Sequence, residues 1–227
     1  HIKVLRQDGY RIEALPKKGY CFSGATDKLI GREITDGLET DVFGKADIHI
    51  FEQTDSTNIQ ARQLAEDGSP NGSIVIAEDQ TQGRGRKNRQ WFSKPETSVM
   101  MSLIIRPPLP PENAPRLTLT AAVAAARAVA GSTGIPVRIK WPNDILVNGK
   151  KLAGISTGMS TDMDAVNYVI LGIGLNVAAE KSDFPEEIAD IATSIFIESG
   201  RAVSRTRIIQ AFLTEFEACY DTLCSRG

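Results

Sequence analysis

The stretch VRIKWPNDILVNGKKLAGISTGMS, residues 137–160, decides the class of fold. Its centre, Asn148-Gly149, is a dipeptide that favours the tight two-residue turn between antiparallel strands. The stretch therefore predicts a β-hairpin. A sheet that contains such a hairpin is at least partly antiparallel, which argues against a doubly wound parallel fold.

Outward from this hairpin, the chain contains several strands and few helices. Further strands are predicted at residues 48–53, 72–80, 98–107 and 168–177, and helices at residues 55–67, 116–134 and 206–224, with a shorter helix within residues 27–38. Asp55 or Ser56 is positioned to cap the first long helix, and Gly68 to end it. The pattern predicts an α+β fold with a central mixed, largely antiparallel sheet and flanking helices.

The N-terminal segment differs in character from the rest of the chain, with the change near residue 25. Residues 10–22, YRIEALPKKGYCF, predict two short strands joined by a Pro-Lys-Lys-Gly turn. A two-stranded ribbon is marginally stable alone. We therefore expect that this hairpin either docks on the main domain or is the end of a separate module.

Composition argues against several classes of protein. The 227 residues are 41% hydrophobic and carry a net charge of −2, which indicates a globular domain rather than a disordered chain. Cys21, Cys219 and Cys224 are odd in number and lack zinc-site spacing, so a disulfide framework is not expected. No apolar run is long enough to cross a bilayer. We predict a cytoplasmic protein without a membrane partner.

The segment EDQTQGRGRKNRQW, residues 78–91, concentrates positive charge in a chain that is slightly acidic overall. One interpretation is a solvated basic loop. In the other, Gly83 and Gly85 let the backbone approach a compact anion while arginines clamp its phosphate or carboxylate oxygens. Trp91 either packs on the core or covers a ligand ring.

Polar side chains also cluster around the central hairpin. Asn143 and Asp144 follow a Trp-Pro step that is unusual in a strand, because proline interrupts the ladder. Asp144 could hold magnesium or take a proton from an amine, and Lys151, returned beside it by the turn, could bind a carboxylate. An ordinary hairpin with polar ends is the alternative. Together with the arginine-rich segment, the pattern is typical of a site that joins a carboxylate to a nucleotide.

Two shorter motifs are less specific. GIGLN, residues 172–176, lacks the third glycine of a dinucleotide fingerprint and is not followed by a helix. Glycines inside a strand usually mark the close approach of a ligand or another backbone, which makes Asn176 a candidate ribose or phosphate contact. DSTN, residues 55–58, is by itself a helix cap.

In this order and at these separations, DSTN, GRGRKNRQW, KWPNDILVNGKKLAGI and GIGLN resemble the biotin protein ligases, the biotin–[acetyl-CoA-carboxylase] ligases of bacteria. The resemblance covers about residues 8–220. It implies activation of biotin with ATP to biotinyl-5′-adenylate, followed by transfer of biotin to one lysine of a biotin carboxyl carrier protein. It also implies three cofactors or substrates: ATP, biotin and Mg²⁺.

The resemblance implies a domain organisation as well. Residues 1–25 are similar to the wing of a winged helix-turn-helix DNA-binding domain, as found in the bifunctional ligases that repress biotin synthesis genes. Residues 26–227 are expected to form the catalytic domain. The recognition helix and a small C-terminal β-barrel of the family are expected to lie outside this chain. A DNA operator is an expected partner of the longer protein, and a homodimer is expected when ligand is bound.

Site residues follow from the resemblance, position by position. The residues implied to bind biotin are Ser56, Thr57, Asn58, Gln80, Gly83, Arg84, Gly85, Arg86 and Lys151. Those implied to bind ATP or the adenylate are Arg86, Arg89, Trp91, Asn143 and Asn176. The catalytic residues implied are Lys151, Asp144 and Arg86. Lys151 would reach the biotin carboxylate, and Asp144 would orient or deprotonate the acceptor lysine. No residue is assigned to a metal, and Mg²⁺ is expected to arrive with ATP.

Three alternatives remain open from the sequence. A lipoate or octanoyl transferase would share the fold, although the Gly-Arg-Gly-Arg and Lys-Trp-Pro-Asn-Asp segments favour biotin. A biotin-sensing DNA-binding repressor without transfer activity would not need Asp144. A nucleic-acid-binding module built on the basic segment would need further basic patches, which the near-neutral charge does not supply.

Overall fold

The computed structural model describes residues 1–7, 10–25, 27–85, 89–162 and 165–226. The helices are α1 (Ile2–Gln7), α2 (Gly31–Thr35), α3 (Thr57–Glu66), α4 (Arg116–Thr133), α5 (Ile195–Ser199) and α6 (Arg205–Arg226), with a 3₁₀ turn at Lys181–Asp183. The strands are β1 (Tyr10–Leu15), β2 (Gly19–Ala25), β3 (Ile48–Thr54), β4 (Ile74–Gln80), β5 (Ser98–Ile105), β6 (Arg138–Lys140), β7 (Asp144–Val147), β8 (Lys150–Asp162) and β9 (Ala165–Asn176). Sequence patterning predicted the long helices and strands, but not α1 or α5.

A seven-stranded sheet forms the centre of the molecule. Its strand order is β3-β4-β5-β9-β8-β7-β6, and only the β3–β4 pair is parallel. The parallel pair is connected through α3, as a crossover between parallel strands requires. The predicted α+β fold with a mixed, largely antiparallel sheet is therefore confirmed.

The central hairpin has the turn that its sequence predicts. Asn148 and Gly149 have φ angles of 50° and 81°, and Val147 pairs with Lys150 across them. Two consecutive left-handed residues match the twist of an antiparallel ribbon, and Asn-Gly is the dipeptide that accepts them most readily. Because β7 is short, it pairs only with the Lys150–Gly154 half of β8.

Helices cover the two faces of the sheet unequally. The main core lies between one face and helices α4 and α6, and alternate residues of β5, Met101, Leu103 and Ile105, point into it. On the other face, Ile104 packs with α3 in a smaller cluster that includes Ala61. Met100 and Ser102 lie on this second face by the alternation of side chains along a strand. Helix α3 therefore leaves part of the second face for other residues to line.

The N-terminal hairpin forms as predicted and extends to Ala25. Its Tyr10 hydroxyl donates a hydrogen bond to the carboxylate of Glu33 on α2, which raises the pKa of the tyrosine. Tyr20 and Phe22 are more than half exposed. The hairpin thus contacts the remainder of the chain through Tyr10 while keeping aromatic rings in solvent. Its assignment as a separate module at residues 1–25 stays a prediction.

A buried arginine joins the segment after this hairpin to the sheet. Arg205, the first residue of α6, has a fully buried side chain that lies 2.5 Å from Glu78 Oε2 on β4 and 3.1 Å from Asp27 Oδ2. Asp27 also accepts a hydrogen bond from the Arg205 backbone N–H, so it caps α6. Further along α6, Glu217 accepts hydrogen bonds from the backbone N–H groups of residues 41–43. Helix α6 therefore holds residues 27–43 through two charged side chains.

In the part of the chain that the structure describes, no helix combines the length and apolarity needed to cross a membrane.

Replacing Arg205 with alanine should strongly destabilise the fold. Glu78 would keep a charge in a buried position without its partner, and such losses cost about 3–5 kcal/mol of unfolding free energy. Arg207→Ala, an exposed arginine two positions further along the same helix, should change it by less than about 0.5 kcal/mol. Urea denaturation of both variants measures the difference. Similar losses in the two would show that the buried network contributes little.

Candidate active site

Two transverse rows of paired residues cross the sheet at a pocket on the face that carries α3, and their central residues Gly154, Ser156, Gly172 and Gly174 line its floor. In the first row, Met100 pairs with Gly174, Gly174 with Gly154, Gly154 with Asp144, and Asp144 with Lys140. In the second row, Gly172 pairs with Ser102 on β5 and with Ser156 on β8. The pocket encloses about 440 Å³ of empty space, counted with its open mouth. Small residues at the centre of each row create the depression.

Glycine is required at the centre of these rows because side chains lie directly over the backbone. A Cβ atom on Gly172 would fall 2.3 Å from Asn58 Oδ1, and one on Gly174 would fall 2.5 Å from Trp91 Cε2. A Cβ atom on Gly154 would lie 3.2 Å from Lys151 Nζ. GIGLN was interpreted as a place where a ligand or another backbone approaches closely; in the structure, the groups that approach Gly172 and Gly174 are side chains of the same chain.

The N-terminus of α3 forms one wall of the pocket. Ser56 occupies the N-cap position, as predicted, but its side chain makes no capping hydrogen bond. Gln80 from the end of β4 takes that role: its Oε1 accepts from the Thr57 backbone N–H at 2.7 Å and lies 3.2 Å from Thr57 Oγ1. The capping interaction is therefore long-range, which is why local sequence signals assigned it to the wrong side chain.

Two serines hold Asn58 at this wall. Ser102 Oγ lies 2.9 Å from Asn58 Oδ1 and 2.8 Å from Thr57 Oγ1, and Asn58 Nδ2 donates to Ser156 Oγ at 3.2 Å. Ser102 is completely buried. Neither serine is predicted as a site residue from the sequence. One sequence signal could have identified Ser102: it is a serine within the otherwise apolar stretch of β5. A buried hydroxyl needs hydrogen-bond partners, which points to polar groups nearby.

The basic segment folds back on itself across the mouth of the pocket. The Trp91 backbone N–H donates to Gly83 O at 2.9 Å, and the Gly85 backbone N–H donates to Arg89 O at 2.8 Å. Arg84 and Gln90 form an isolated antiparallel β-bridge. Arg84 and Gly85 line the pocket, whereas Gly83 and Arg89 do not. Arg86 lies outside the described residues, so its predicted contacts with biotin and the adenylate stay predictions.

Trp91 is positioned by this fold-back to lie over the first row. Its ring lies within van der Waals reach of Gly174 and Gly154, and Lys151 Nζ is 5.9 Å from the ring centroid. Its Nε1 is buried and has no hydrogen-bond partner within the described residues. A buried N–H without an acceptor costs about 1–3 kcal/mol. The indole is therefore placed where a ligand that brings an acceptor would improve its contacts.

A charged pair stands at the β7 and β8 end of the floor. Lys151 Nζ lies 2.7 Å from Asp144 Oδ1, a charge contact that falls outside hydrogen-bond geometry. The Lys151 backbone is held on both sides, by Ile191 O and by Thr193 N–H. Asn143 lines the pocket and donates from Nδ2 to Ile155 O at 3.0 Å. Lys151 and Asn143 therefore line the pocket, and Asp144 contacts Lys151 without lining it.

Asn176 and Ser56 are buried but do not line the pocket. Asn176 Nδ2 donates to Thr193 O at 2.9 Å, and Thr193 in turn pairs with Lys151. In this arrangement Asn176 supports the segment that positions Lys151. Its predicted contact with the adenylate, and that of Ser56 with biotin, stay predictions.

An ion pair ties the segment after Trp91 to the neighbouring loop. Lys94 Nζ lies 2.7 Å from Asp183 Oδ1 in the 3₁₀ turn. The hydrogen bond between them lowers the pKa of Asp183 and raises the pKa of Lys94, so both groups are charged near neutral pH. This pair connects two of the segments that border the site.

The part of the chain that forms this pocket is similar to known proteins. Residues 50–176, which contain the pocket floor and α3, match the family model of the biotin/lipoate A/B protein ligase family. The bifunctional ligase/repressor BirA of Bacillus subtilis is 44% identical over 227 residues, which span all of this chain and 70% of that protein.

Two solved structures are also similar. The biotin protein ligase of Aquifex aeolicus in complex with biotin and ATP is 27% identical with a TM-score of 0.69, over 80% of this chain and 73% of that one. The biotin protein ligase of Leishmania major in complex with biotinyl-5-AMP is 28% identical with a TM-score of 0.63, over 77% of this chain and 75% of that one.

The chain therefore belongs to the biotin/lipoate A/B protein ligase family. The named relatives and the similar structures place it among the biotin protein ligases of that family. The resemblance inferred from four sequence motifs is confirmed.

Replacing Gly174 with alanine should displace Trp91 from the floor, because the new Cβ atom would overlap the indole ring. In a Trp141→Phe background, Trp91 is the remaining tryptophan, and its fluorescence emission should shift to longer wavelength. Gly131→Ala is the matched control, since a Cβ atom there meets nothing within 4 Å. An unchanged emission maximum in the Gly174 variant would show that Trp91 does not rest on this row.

Proposed function

We propose that this chain activates biotin with ATP, forming biotinyl-5′-adenylate and pyrophosphate, and then transfers biotin to a lysine of a carboxyl carrier protein. One observation carries the proposal: a single pocket is lined by the hydrogen-bonding side chains of Thr57, Asn58 and Gln80 and by Lys151, which contacts Asp144 beside the pocket. Biotin has matching ends, a polar cyclic urea and a carboxylate. The names of the relatives and the ligands in the similar structures support the same substrates.

Biotin would lie along this floor with its urea near α3. Thr57, Asn58 and Gln80 line that end and present hydrogen-bonding groups, while Trp91 and the glycine rows offer apolar surface to the ring and the valeryl chain. Leaving a urea unpaired in a partly closed site would be costly. The carboxylate would then point towards Lys151.

Activation joins the carboxylate to the α-phosphorus of ATP. A carboxylate oxygen attacks that phosphorus, and the bond to pyrophosphate breaks. Lys151 and Arg84 both line the pocket, and their positive charge would stabilise the charge that develops on the phosphoryl oxygens. Arg86, Arg89 and Asn143 are proposed as further contacts of the nucleotide, and Trp91 as a cover for the adenylate.

We expect Mg²⁺ to enter the site bound to ATP phosphates rather than to occupy a metal site built by protein side chains alone. Within the described residues no group of three or more His, Cys, Asp or Glu side chains could hold a metal ion. Mg²⁺ is commonly held by one or two carboxylates and substrate phosphates, and Asp144 is a carboxylate that could contribute. When bound, the ion would offset charge on the leaving pyrophosphate.

Transfer requires a deprotonated lysine of the acceptor. Asp144 Oδ1 contacts Lys151 without a well-formed hydrogen bond, so it retains capacity to accept one from an incoming amine. The amine nitrogen would attack the mixed-anhydride carbonyl, its proton would pass to Asp144, and AMP would leave. Lys151 would remain beside the departing phosphate.

A reconstituted assay tests the proposal. The chain is incubated with biotin, ATP, Mg²⁺ and a carrier domain, and pyrophosphate release and biotinylation of the carrier are measured. Both should depend on biotin. Activity with lipoate in place of biotin would instead identify a lipoate ligase, and adenylate formation without transfer would favour a sensor.

Lys151→Ala should reduce the rate of adenylate formation by about 10²–10³-fold, the usual effect of losing one charge-stabilising group. Lys150→Ala is the matched control, because Lys150 is the adjacent lysine of the same turn and does not line the pocket. Single-turnover formation of adenylate measures the effect. Equal rates for the two variants would remove Lys151 from the activation step.

We also propose that the protein forms a ligand-dependent homodimer and, in a longer form, binds a DNA operator. The name of the Bacillus relative supports the second role. A dimer is supported by β8, because β7 pairs with only half of it and no described strand pairs with the outer side of residues 155–162. Sedimentation in the presence and absence of biotin and ATP should show association with both ligands, and a monomer under both conditions would exclude it.

A further inference from the structure

The hydroxyl of Ser102 lies behind the pocket wall rather than on it. The side chain is fully buried at the middle of β5, whose residues are all buried. Its oxygen contacts Thr57 Oγ1 and Asn58 Oδ1 at 2.8 and 2.9 Å. A serine hydroxyl carries one proton, and the amide oxygen Oδ1 only accepts. Because the Thr57 hydroxyl can donate as well as accept, both contacts are satisfied when Ser102 donates to Asn58 Oδ1 and Thr57 donates to Ser102 at 2.8 Å rather than to Gln80 Oε1 at 3.2 Å.

This donation orients the Asn58 amide. With Oδ1 facing Ser102, Nδ2 faces the other side of the row and donates to Ser156 Oγ at 3.2 Å. Gly172 lies beneath the amide and has no side chain that could share the space. The amide is thus held between two serines of the same transverse row.

The orientation determines which groups the wall presents. Asn58 Nδ2 has a second proton, and Ser156, which accepts from Asn58, has its own hydroxyl proton. Gln80 uses Oε1 for Thr57, and among the described residues its Nε2 donates to the weak acceptor Met100 Sδ at 3.2 Å. Asn58, Ser156 and Gln80 all line the pocket. The wall therefore presents donors, which suit an oxygen that accepts several hydrogen bonds.

We propose that Ser102 is a positioning residue that makes this wall selective for a urea oxygen. The inference rests on the proposed function, and it adds that the selectivity originates one layer behind the ligand. Without the Ser102 hydroxyl, the Asn58 amide loses the partner that keeps Oδ1 away from the pocket. The wall could then bind a ligand group that donates a hydrogen bond at this position, whereas the unaltered wall favours a ligand group that accepts one.

A comparison of two ligands tests the proposal. 2-Iminobiotin carries a protonated nitrogen in place of the urea oxygen of biotin and is otherwise the same size. Dissociation constants of both ligands are measured by calorimetry with the full chain. Ser102→Ala should weaken biotin binding about tenfold, as expected for a lost buried hydrogen bond. It should weaken 2-iminobiotin binding less, so that the ratio of the two constants moves towards one.

Two further variants separate positioning from general damage. Ser102→Cys nearly preserves the volume but is a weak donor, and it should lower the selectivity in the same direction. Ser73→Ala removes another fully buried serine hydroxyl, one that bonds to Pro70 O away from the pocket, and it should leave the selectivity unchanged. When the rate of adenylate formation is measured over a range of biotin concentrations, kcat should change less than the KM for biotin in both Ser102 variants.

The outcomes distinguish this inference from the proposed function. If the unaltered chain forms no adenylate from biotin, the proposed function fails. If it does, and both Ser102 variants keep the ratio of the unaltered chain, Ser102 does not set the selectivity. A similar fall in the ratio for Ser73→Ala would assign the effect to loss of stability and would also overturn the inference.

Discussion

The site depends on one constraint: the backbone of β8 and β9 must stay bare where two transverse rows cross it. Gly154, Gly172 and Gly174 lie at adjacent positions on one face of a sheet whose opposite face is packed against α4 and α6. A Cβ atom on Gly172 or Gly174 would overlap Asn58 or Trp91, and one on Gly154 would press against Lys151 and Trp91 at 3.2–3.3 Å. Because helix α3 ends its coverage at this point, the bare backbone becomes a depression, and the side chains that lie over it come from three parts of the chain: α3, the basic segment and β8.

Buried ion pairs and hydrogen bonds in the surrounding framework hold the residues that line the open pocket in place. Helix α6 fastens residues 27–43 through Arg205 and Glu217, and Arg205 also reaches Glu78 on β4. Gln80, two residues beyond Glu78, caps α3 and thereby sets the position of Thr57. The polar end of the pocket is therefore fixed by secondary structure and buried charge.

Local sequence signals predicted the features that depend on neighbouring residues. Asn148-Gly149 specified a turn and with it the antiparallel centre of the sheet, and the motifs around Asp144 and Lys151 located the charged end of the site. Features that depend on register were not predictable in this way. Whether Ser102 lies opposite Gly172, or Gln80 beside the start of α3, follows from strand order and pairing between distant segments. For the same reason Arg205, which lies one residue before the helix predicted at residues 206–224, gave no sign of its burial.

The two ends of the floor have opposite chemical character, and this ordering suits a two-step reaction. At the α3 end, neutral donors held by serines can bind a polar head without changing charge during the reaction. At the β7 and β8 end, Lys151 and Asp144 place a cation and a carboxylate in contact. The cation favours an anionic phosphoryl group, and the carboxylate favours an incoming ammonium group that must lose a proton. In the proposed reaction, a substrate anchored by its neutral end would present the same carboxyl group to both steps, its oxygen to the phosphorus and then its carbon to the amine, and neither step would require the anchor to release.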